Sequence, residues 1–433
     1  MTSQEHDADW TNNSGPQLPA APRNVKELGL DPGLLGSLAL KVLYYSGNAT
    51  AAETAKRMAL PLGPTLEILD FLRRERLVEI LGSETHAIGG YRHALTTAGL
   101  ERTMSFLAQS GYAGPTPVPL KNYVDTVKGQ SVRDILISRD AIEASLSPLV
   151  LKQDVVDLIG QAISSERAVL FYGESGNGKT TAAECLKGAM PGDILIPYAV
   201  EVMHQIIQVY DPSIHVIAEH DANNPKPGHG EVDLRWLRIR RPFVTAAGEL
   251  AAQHLELIID ETNRSYEAPI QMKANGGLLV IDDFGRQRLD AAYLLNRWIV
   301  PLEHGTDTLS LNNGARFRVP FDVIPMFLTN KHPIELADDA FLRRIRYKIE
   351  IPGPAEDEFV EILERECERK QITWDRPAID FLLEEFFRKP NRPLRGCHPR
   401  DLVEAIADAA AYRGMERALT RETIRQAAAG YFV

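Results

Sequence analysis

Residues 173–180, which read Gly-Glu-Ser-Gly-Asn-Gly-Lys-Thr, carry the strongest chemical signal in this 433-residue chain. Their spacing matches G-x-x-x-x-G-K-[ST], a loop whose backbone N–H groups surround phosphate oxygens. In such a loop Lys179 reaches the β- and γ-phosphates, and the Thr180 hydroxyl is a ligand of Mg²⁺. The pattern therefore predicts that the chain binds ATP and Mg²⁺. The predicted nucleotide-binding residues are Gly173, Glu174, Ser175, Gly176, Asn177, Gly178, Lys179, Thr180 and Thr181.

Two adjacent carboxylates stand at the end of an apolar run farther along the chain. Residues 276–281 read Gly-Gly-Leu-Leu-Val-Ile and are followed by Asp282 and Asp283. Downstream of a phosphate-binding loop, the first acid holds the Mg²⁺ shell, and the second orients or deprotonates the attacking water. We therefore predict that Asp282 is a metal-binding residue and that Asp283 is catalytic.

Four further polar residues fit the same chemistry. Asn330 follows the apolar run 323–328, at a position where its amide can hold the attacking water or the γ-phosphate. Arg343 and Arg344 are adjacent guanidinium groups, which suit the stabilisation of transition-state charge. Arg400 lies in the first turn of a predicted helix, from which it can reach back to the nucleotide. We predict that the first three are catalytic and that Arg400 binds the nucleotide.

The elements that must position these residues alternate between strands and helices. The apolar run 168–172 enters the loop as a buried strand, and the residues from Thr181 onward leave it as a helix whose N-terminus favours an anion. This alternation continues to about residue 352, and it predicts a three-layer α/β domain with a parallel sheet over residues 125–353. Only helical periods remain in residues 354–433, which predicts a helical lid.

The region before residue 125 has a different pattern. Residues 1–28 are polar and predict a disordered tail, and a Pro/Gly-rich stretch predicts a linker over residues 113–124. Between them, residues 29–112 show three helices, of which the second is short, then a β-hairpin and a last helix. This is the order of a winged helix. Residues 91–99 are similar to the wing segment of MarR-type transcription regulators.

The charges of this predicted winged helix do not favour DNA. From residue 31 to residue 112 there are eight basic and eight acidic residues, whereas a domain that releases counterions from phosphates has a basic excess. Glu67 and Asp70 also lie where a recognition helix meets base edges. We therefore prefer a protein-docking or regulatory role, with DNA binding as the alternative. The basic residues available for a DNA contact are Arg73, Arg74, Arg76 and Arg92.

From about residue 125 to its end, the chain resembles an AAA+ ATPase. The family's order is phosphate loop, acidic strand, sensor asparagine, arginine finger and sensor arginine. It is matched by Lys179, Asp282 with Asp283, Asn330, Arg344 or Arg343, and Arg400. The resemblance implies a ring, usually a hexamer, in which the finger acts on the nucleotide of the neighbouring subunit. Arg344 matches the finger better than Arg343, because an apolar residue follows it.

Two segments are similar to particular members of this family. Residues 266–277 and 294–303 resemble MoxR-like ATPases, with a core of the helix-2-insert type, and bacterial enhancer-binding activators. The G-A-F-T-G-A loop of those activators is absent from the sequence, which argues against a transcription activator. Asp283 stands where most relatives carry Glu, and its shorter side chain predicts slow hydrolysis.

The stretch between the loop and the two acids is longer than a minimal core of this kind needs. Residues 215–233 are polar, and a loop of that length is usually functional or disordered. Residues 235–241, here called the arginine segment, contain four arginines and one tryptophan. The segment predicts a contact with nucleic acid or an acidic partner or, as we prefer, a solvated strand with ion pairs to a neighbouring subunit.

The composition is that of an ordinary globular protein, with 44% apolar and 25% charged residues and a formal net charge of −11. No apolar run approaches the ~20 residues of a membrane span, and no signal pattern opens the chain. We therefore expect a cytoplasmic protein with no membrane partner. Cys185, Cys367 and Cys397 are too scattered for a disulfide framework or a metal site. Cys397 beside His398 is interpreted as a packed thiol rather than a nucleophile.

Taken together, these features predict a cytoplasmic AAA+ ATPase that hydrolyses Mg·ATP in a ring. The ring remodels or assembles a protein partner that the winged helix recruits. The alternative is a DNA-binding transcriptional or replication regulator that ATP switches. A third hypothesis is a nucleotide-binding scaffold with little turnover.

Overall fold

The computed structural model shows a mixed α/β fold, with an N-terminal helical region, a parallel sheet, several smaller β-sheets and a C-terminal set of helices. Residues 1–15 of the predicted tail lie outside the described residues. The structure describes residues 16–83, 90–218, 232–260, 264–336, 342–414 and 416–432.

Four helices and a three-stranded antiparallel sheet form the N-terminal region. Asp31 caps the first helix by accepting a hydrogen bond from the Leu34 N–H, and Thr50 with Glu53 forms a capping box at the second. The strands pair in the order β1-β3-β2. The elements are α1 (Pro32–Ser46), β1 (Asn48–Thr50), α2 (Ala51–Met58), α3 (Leu62–Arg74), β2 (Val78–Ser83), β3 (Tyr91–Leu95) and α4 (Thr97–Gln109).

The flanks of this region are packed, which differs from the predicted tail and linker. Val25–Leu28 forms a 3-10 helix in which Leu28 is fully buried, and the Val25 N–H donates to Glu67 on α3 at 3.1 Å. Beyond α4, strand β4 (Val118–Pro119) and helix α5 (Leu120–Gly129) begin inside the predicted linker 113–124. Burial of apolar side chains such as Leu28 offsets the conformational entropy that the chain loses by becoming ordered.

The central region carries most of the strands. Its elements are α6 (Arg139–Leu146), α7 (Gln153–Ser164), β5 (Val169–Tyr172), α8 (Lys179–Leu186), β6 (Asp193–Pro197), β7 (Ala199–Val202), β8 (Gln205–Gln208), β9 (Trp236–Arg240), β10 (Phe243–Ala246), β11 (Ile258–Asp260), β12 (Ser265–Glu267), α9 (Ile270–Lys273), β13 (Leu278–Ile281), α10 (Ala291–His304), β14 (Thr306–Ser310), β15 (Arg316–Pro320), β16 (Ile324–Thr329) and β17 (Tyr347–Glu350).

Five of these strands form a parallel sheet in the order β10-β13-β16-β5-β17. Successive side chains of a strand point to opposite faces, so each strand contributes to two cores. On one face, Phe171 and Val280 pack with residues of α6, α7 and α8. On the other face, Leu170 and Phe327 pack with Trp298 of α10. Helices thus cover both faces, as a parallel sheet requires.

The chain between α8 and β13 departs from the predicted alternation of strands and helices. Strands β11, β12, β8, β7 and β4 form a separate five-stranded sheet in that order, and β6 pairs with β9 in an antiparallel ladder. Within the described part of this stretch, the four-residue α9 is the only α-helix. The regular secondary structure that the described residues add between the loop and the two acids is therefore mainly β-structure.

The arginine segment stabilises this β-structure from within the chain. Arg235 is buried and donates to both carboxylate oxygens of buried Asp233, with a shortest distance of 2.7 Å. Arg238 forms an ion pair with Asp193 at 2.8 Å, and Arg241 donates to three backbone carbonyls. Buried guanidinium groups need such partners. These contacts correct the preferred interpretation, a solvated strand with ion pairs to a neighbouring subunit, because Arg235 and Arg238 form their ion pairs within the chain.

Helices dominate the C-terminal region, which packs around its own apolar core of residues such as Phe359, Leu382 and Ile406. Two short parallel strands, which the helical periods did not predict, pair the segment after the first helix of this region with the segment before its last helix. The elements are α11 (Glu356–Lys370), β18 (Thr373–Trp374), α12 (Arg376–Leu383), α13 (Cys397–Arg413), β19 (Ala418–Leu419) and α14 (Arg421–Tyr431). We call this region the lid.

None of the helices that the structure describes combines the length and the apolar character that a bilayer crossing requires.

Candidate nucleotide site

The loop 173–180 connects β5 to α8, so it leaves the carboxyl edge of the parallel sheet and ends at a helix N-terminus. Lys179 is the first residue of α8, and its Nζ donates to the carbonyl oxygens of Gly173 at 2.8 Å and Glu174 at 2.9 Å. A curved backbone that ends at a helix N-terminus offers N–H groups to an anion. The arrangement suits a phosphate group.

The Lys179 ammonium group has an unusual electrostatic setting. Burial lowers its pKa below the ordinary value, and the carboxylates of Asp282, Asp283 and Glu174 oppose that effect. Removal of a cation from water disfavours its charged form, whereas a nearby anion restores it. The three carboxylates only partly offset the effect of burial. A phosphate bound beside Lys179 would therefore stabilise the charged form of its ammonium group further.

The structure brings Thr180 and Asp282 together across 102 positions of sequence. The Thr180 Oγ1 donates to Asp282 Oδ2 at 2.8 Å, and the backbone N–H of Asp283 donates to Asp282 Oδ1 at 2.7 Å. Carboxylate and hydroxyl oxygens are the hard ligands that Mg²⁺ prefers, and Mg²⁺ in phosphate sites takes only one or two carboxylates from the protein. The donor set therefore fits Mg²⁺.

Asp283 has an exposed side chain and a backbone φ of 50°. A non-glycine residue with positive φ is uncommon and marks a position that the surrounding structure holds in place. A hydrogen bond of the next residue holds this backbone in place: the Phe284 N–H donates to the Leu328 carbonyl of β16 at 2.7 Å. The carboxylate of Asp283 is thus presented at the carboxyl edge of the sheet rather than buried in it.

Asn330 lies at the same edge, because it follows β16 and β16 pairs with both β13 and β5. Its surroundings are tied to the segment after the two acids: the Thr329 Oγ1 donates to the Phe284 carbonyl at 2.8 Å, and the Lys331 Nζ donates to the Gly285 carbonyl at 3.1 Å. Sequence reasoning missed Lys331, which adds a second ammonium group to this edge. Its position directly after the predicted sensor was an available signal.

Arg344 lies at the opposite, amino edge of the sheet. It precedes β17 and lines a small cavity with Ala168 and Val323, which stand just before β5 and β16. Its Nε donates to Glu303 on α10 at 2.7 Å. Arg343 is exposed, and residues 337–341, which open the predicted helix before these arginines, lie outside the described residues. Neither arginine is placed beside the loop of its own chain.

In the lid, the structure brings Arg395 rather than Arg400 into contact with the loop. The guanidinium of Arg400 lies 3.0 Å from the carboxylate of Asp401, whose hydrogen bond raises the pKa of Arg400 above its usual value. Arg395 Nη2 donates to Glu174 Oε2 at 3.1 Å. Sequence reasoning missed Arg395, since spacing alone does not separate it from the neighbouring arginines.

Cys397 and His398 have different partners. His398 packs against the rings of Phe387 and Phe432, its Nδ1 accepts a hydrogen bond from the Arg395 N–H at 3.2 Å, and burial lowers its pKa to about 4. The imidazole is therefore neutral at pH 7. Cys397 Sγ lies 3.9 Å from the Tyr431 hydroxyl. The pair forms part of the lid's packing and not a nucleophile with its base.

Comparisons with known proteins reach only part of the chain. A family model described as a domain of unknown function, DUF8689, matches residues 355–430, which make up most of the lid. No curated protein matches the chain. Among solved structures, NtrX from Brucella abortus is similar over 64% of this chain, with 14% sequence identity and a TM-score of 0.41. The match spans about half of the NtrX chain, 55%, and a likeness this distant carries no argument about activity.

Proposed function

We propose that the chain is an AAA+ ATPase, which binds and hydrolyses Mg·ATP in a ring and remodels or assembles a protein partner. The observation that carries this proposal is the contact of Thr180 with Asp282 beside Lys179. It joins a phosphate-binding loop to a carboxylate of a different strand in the arrangement that Mg²⁺ and a triphosphate need.

Each residue at the carboxyl edge has a separate role in the proposed reaction. The loop backbone and Lys179 bind the phosphates, and Thr180 with Asp282 holds Mg²⁺, which neutralises phosphate charge when it is bound. The exposed carboxylate of Asp283 orients the attacking water and accepts its proton. Asn330, at the end of the adjacent strand, holds that water with its amide.

The position of Arg344 supports a ring. Its guanidinium stands at the amino edge of the sheet, while the loop stands at the carboxyl edge. A cation at that place can stabilise phosphoryl-transfer charge only in a neighbouring subunit, and trans-acting arginines of this kind are known in nucleotide hydrolysis. The proposal therefore assigns Arg344 to the nucleotide of the next copy and retains Arg343 as a second cation there.

The N-terminal region supports protein docking more than DNA binding. Lys41 is buried and its Nζ donates to the Ser110 carbonyl, and Arg73 pairs with Asp70. Both cations are thereby unavailable or partly neutralised for phosphate contacts. Large apolar side chains are exposed on the same region, and such side chains commonly mark contact surfaces when they cluster. They are Tyr45, Phe71, Ile80, Leu81, Tyr91, Leu100 and Met104.

A nucleotide assay tests the enzymatic part of the proposal. We expect Mg²⁺-dependent phosphate release from ATP by the full chain, loss of nucleotide binding in Lys179→Ala, and binding without release in Asp283→Asn. Lys187→Ala, which removes an exposed lysine just after α8, is the matched control. Binding without any release by the unaltered chain would contradict hydrolysis and favour a scaffold.

The same variant tests the partner and the ring. With its hydrolysis blocked, Asp283→Asn should form a larger particle in ATP than in ADP by light scattering, and it should retain a protein partner on purification. Salt-dependent binding to duplex DNA that is lost in the double variant Arg73→Glu and Arg74→Glu would instead support the DNA-binding regulator.

A further inference from the structure

A cavity of about 550 Å³ lies between the N-terminal part of the chain and the inserted β-structure. Its volume is within the range of about 300–1,000 Å³ that is usual for small-molecule sites. Three parts of the chain line it: residues 19–23 with Glu27, one face of α5, and residues from the stretch 233–236, which leads into β9. The phosphate-binding loop does not contribute to this lining. The cavity is therefore separate from the nucleotide site.

Backbone contacts hold the segment 19–23 against the inserted β-structure. The Asp233 N–H donates to the Pro19 carbonyl at 2.8 Å, and Ala20 pairs with Val232 in an antiparallel bridge. The same segment lines the cavity. This wall is thus present in the chain without a ligand, as is usual for sites that bind small molecules.

A buried guanidinium group lines the cavity with donors to spare. Arg235 is 3% exposed, and its Nε and Nη2 donate to Asp233, while its Nη1 donates to the Pro117 carbonyl at 3.3 Å. A guanidinium has five N–H groups, and these bonds occupy three of them. One N–H on each terminal nitrogen has no acceptor among the described residues. A carboxylate can accept two N–H bonds from one guanidinium, so Arg235 can bind the carboxylate of a ligand.

Two further charged groups lie on different walls of the cavity. Arg23 belongs to the segment 19–23, and Asp125 lies on the face of α5 that also presents Asn122 and Thr126. In the described part of the chain, neither Arg23 nor Asp125 forms an ion pair. Glu27 differs, because its carboxylate accepts a hydrogen bond from the Arg23 N–H at 2.6 Å. The cavity thus offers a cation and an anion that do not neutralise each other.

We propose that this cavity binds a small zwitterion, which is a free amino acid or a short peptide with free termini. Its carboxylate lies with Arg235 and Arg23, and its ammonium group lies with Asp125. Its uncharged part lies against Pro22 and Trp236, which also line the cavity. A ligand with only one of the two charges leaves Arg23 or Asp125 without a partner, whereas a zwitterion complements both.

Thermal unfolding of the full chain with each common amino acid and with trialanine tests this inference. At least one of these probes should raise the Tm, because a ligand that binds the folded chain stabilises it. Trialanine alone indicates a peptide, and an amino acid indicates the free form. By titration calorimetry, the N-acetyl and the amide derivatives of that probe should each bind at least about tenfold more weakly, the size expected for loss of a charged hydrogen bond. No change in Tm with any probe, or equal binding of the blocked derivatives, would overturn the inference.

Two variants assign the charges of the ligand to their partners. Asp125→Asn should remove most of the preference for the free amine over the N-acetyl derivative, and Arg23→Gln should reduce the preference for the carboxylate over the amide. Asp140→Asn and Arg57→Gln, at exposed positions that do not line the cavity, are the matched controls. Equal effects of the controls would contradict the assignment. Lys179→Ala should bind the zwitterion as the unaltered chain does, so a failure of the proposed ATPase function is measured separately.

Discussion

The two edges of the parallel sheet carry different chemistry. The carboxyl edge holds the loop 173–180, the Thr180–Asp282 contact and the exposed carboxylate of Asp283. The amino edge holds Arg344, which is tied to Glu303 of α10. Under the proposed function, one edge offers the groups for a phosphate and Mg²⁺, and the other offers a cation for the charge of the transferred group.

The distance between the edges decides how the two sets of groups can cooperate. Strand β5 has four residues, Val169–Tyr172, and four residues of a parallel strand span about 13 Å. The strand therefore separates a cation beyond its amino end from the loop that follows its carboxyl end. Under the proposed function, a single copy binds the nucleotide and a second copy completes the site.

The largest expected effect comes from Arg344→Ala. Phosphate release should fall by about 10³-fold, the lower end of the range for trans-acting arginines, while nucleotide affinity stays within about twofold. The measurement is turnover and affinity in the same preparation. Mixing Arg344→Ala with Asp283→Asn should restore part of the turnover, because some interfaces then combine an intact finger with an intact carboxylate. Equal loss of affinity and turnover would place Arg344 in its own chain's site.

A substitution at the carboxyl edge should instead weaken nucleotide binding. Thr180→Val keeps the shape of the side chain but removes the hydroxyl that contacts Asp282. We expect about a hundredfold weaker Mg²⁺-dependent binding of ATP, since loss of a charged hydrogen bond or ligand is of this size. Binding without Mg²⁺ should change little, and titration of Mg²⁺ at fixed ATP measures the difference. Thr245→Val, at an exposed position of β10, is the control, and an equal effect there would contradict a metal role.

Much of the parallel sheet could be predicted from the sequence, because its strands are apolar runs that end in recognisable polar residues. The runs 168–172 and 276–281 contain β5 and β13, and the run 323–328 contains all of β16 except its last residue. The inserted β-structure could not be predicted in the same way. Its strands are short and pair across long separations, such as β4 with β7, so the partner of each strand depends on tertiary contacts and not on local pattern.

The candidate site likewise combines features that the sequence predicts with contacts that it does not predict. The loop and the two acids are local patterns, and the sequence places them correctly at the ends of β5 and β13. The contact of Arg395 with Glu174 joins residues 221 positions apart, and several arginines nearby match a sensor equally well by spacing. Likewise, the charge of the arginine segment suggested an interface, whereas Asp233 and Asp193 satisfy two of its arginines internally. A sequence shows which charges are present but not which partners they find.

Acid should destabilise the folded chain through His398 of the lid. His398 has a pKa of about 4, lowered from 6.5 by burial and by Arg395 and Arg392 against the opposing charge of Asp401. Because the folded pKa is depressed, its stabilising contribution is present above pH 6.5 and is lost as the pH falls toward 4. We expect a loss of about 2 kcal/mol over that range.

Urea unfolding of the full chain at several pH values measures this effect. In His398→Gln, which keeps a hydrogen-bond acceptor for the Arg395 N–H, the dependence on pH between 6.5 and 4 should be shallower. If the free energy of unfolding depends on pH in the variant as it does in the unaltered chain, the acid sensitivity belongs to other groups.

The smallest effect is expected from Glu303→Gln at the amino edge. Glu303 accepts a hydrogen bond from the Arg344 Nε at 2.7 Å. The neutral amide keeps the shape but weakens the ion pair, so turnover should fall by about threefold while nucleotide affinity stays constant. Glu361→Gln, which breaks an exposed ion pair of the lid, controls for loss of a surface carboxylate. The decisive comparison is the double variant: with Arg344 already replaced by Ala, the change at Glu303 should have no further effect, because Glu303 acts only by positioning that arginine. An additive loss would show that Glu303 contributes to the amino edge by another route, and the contrast between the two edges would then involve more than one charged group on each side.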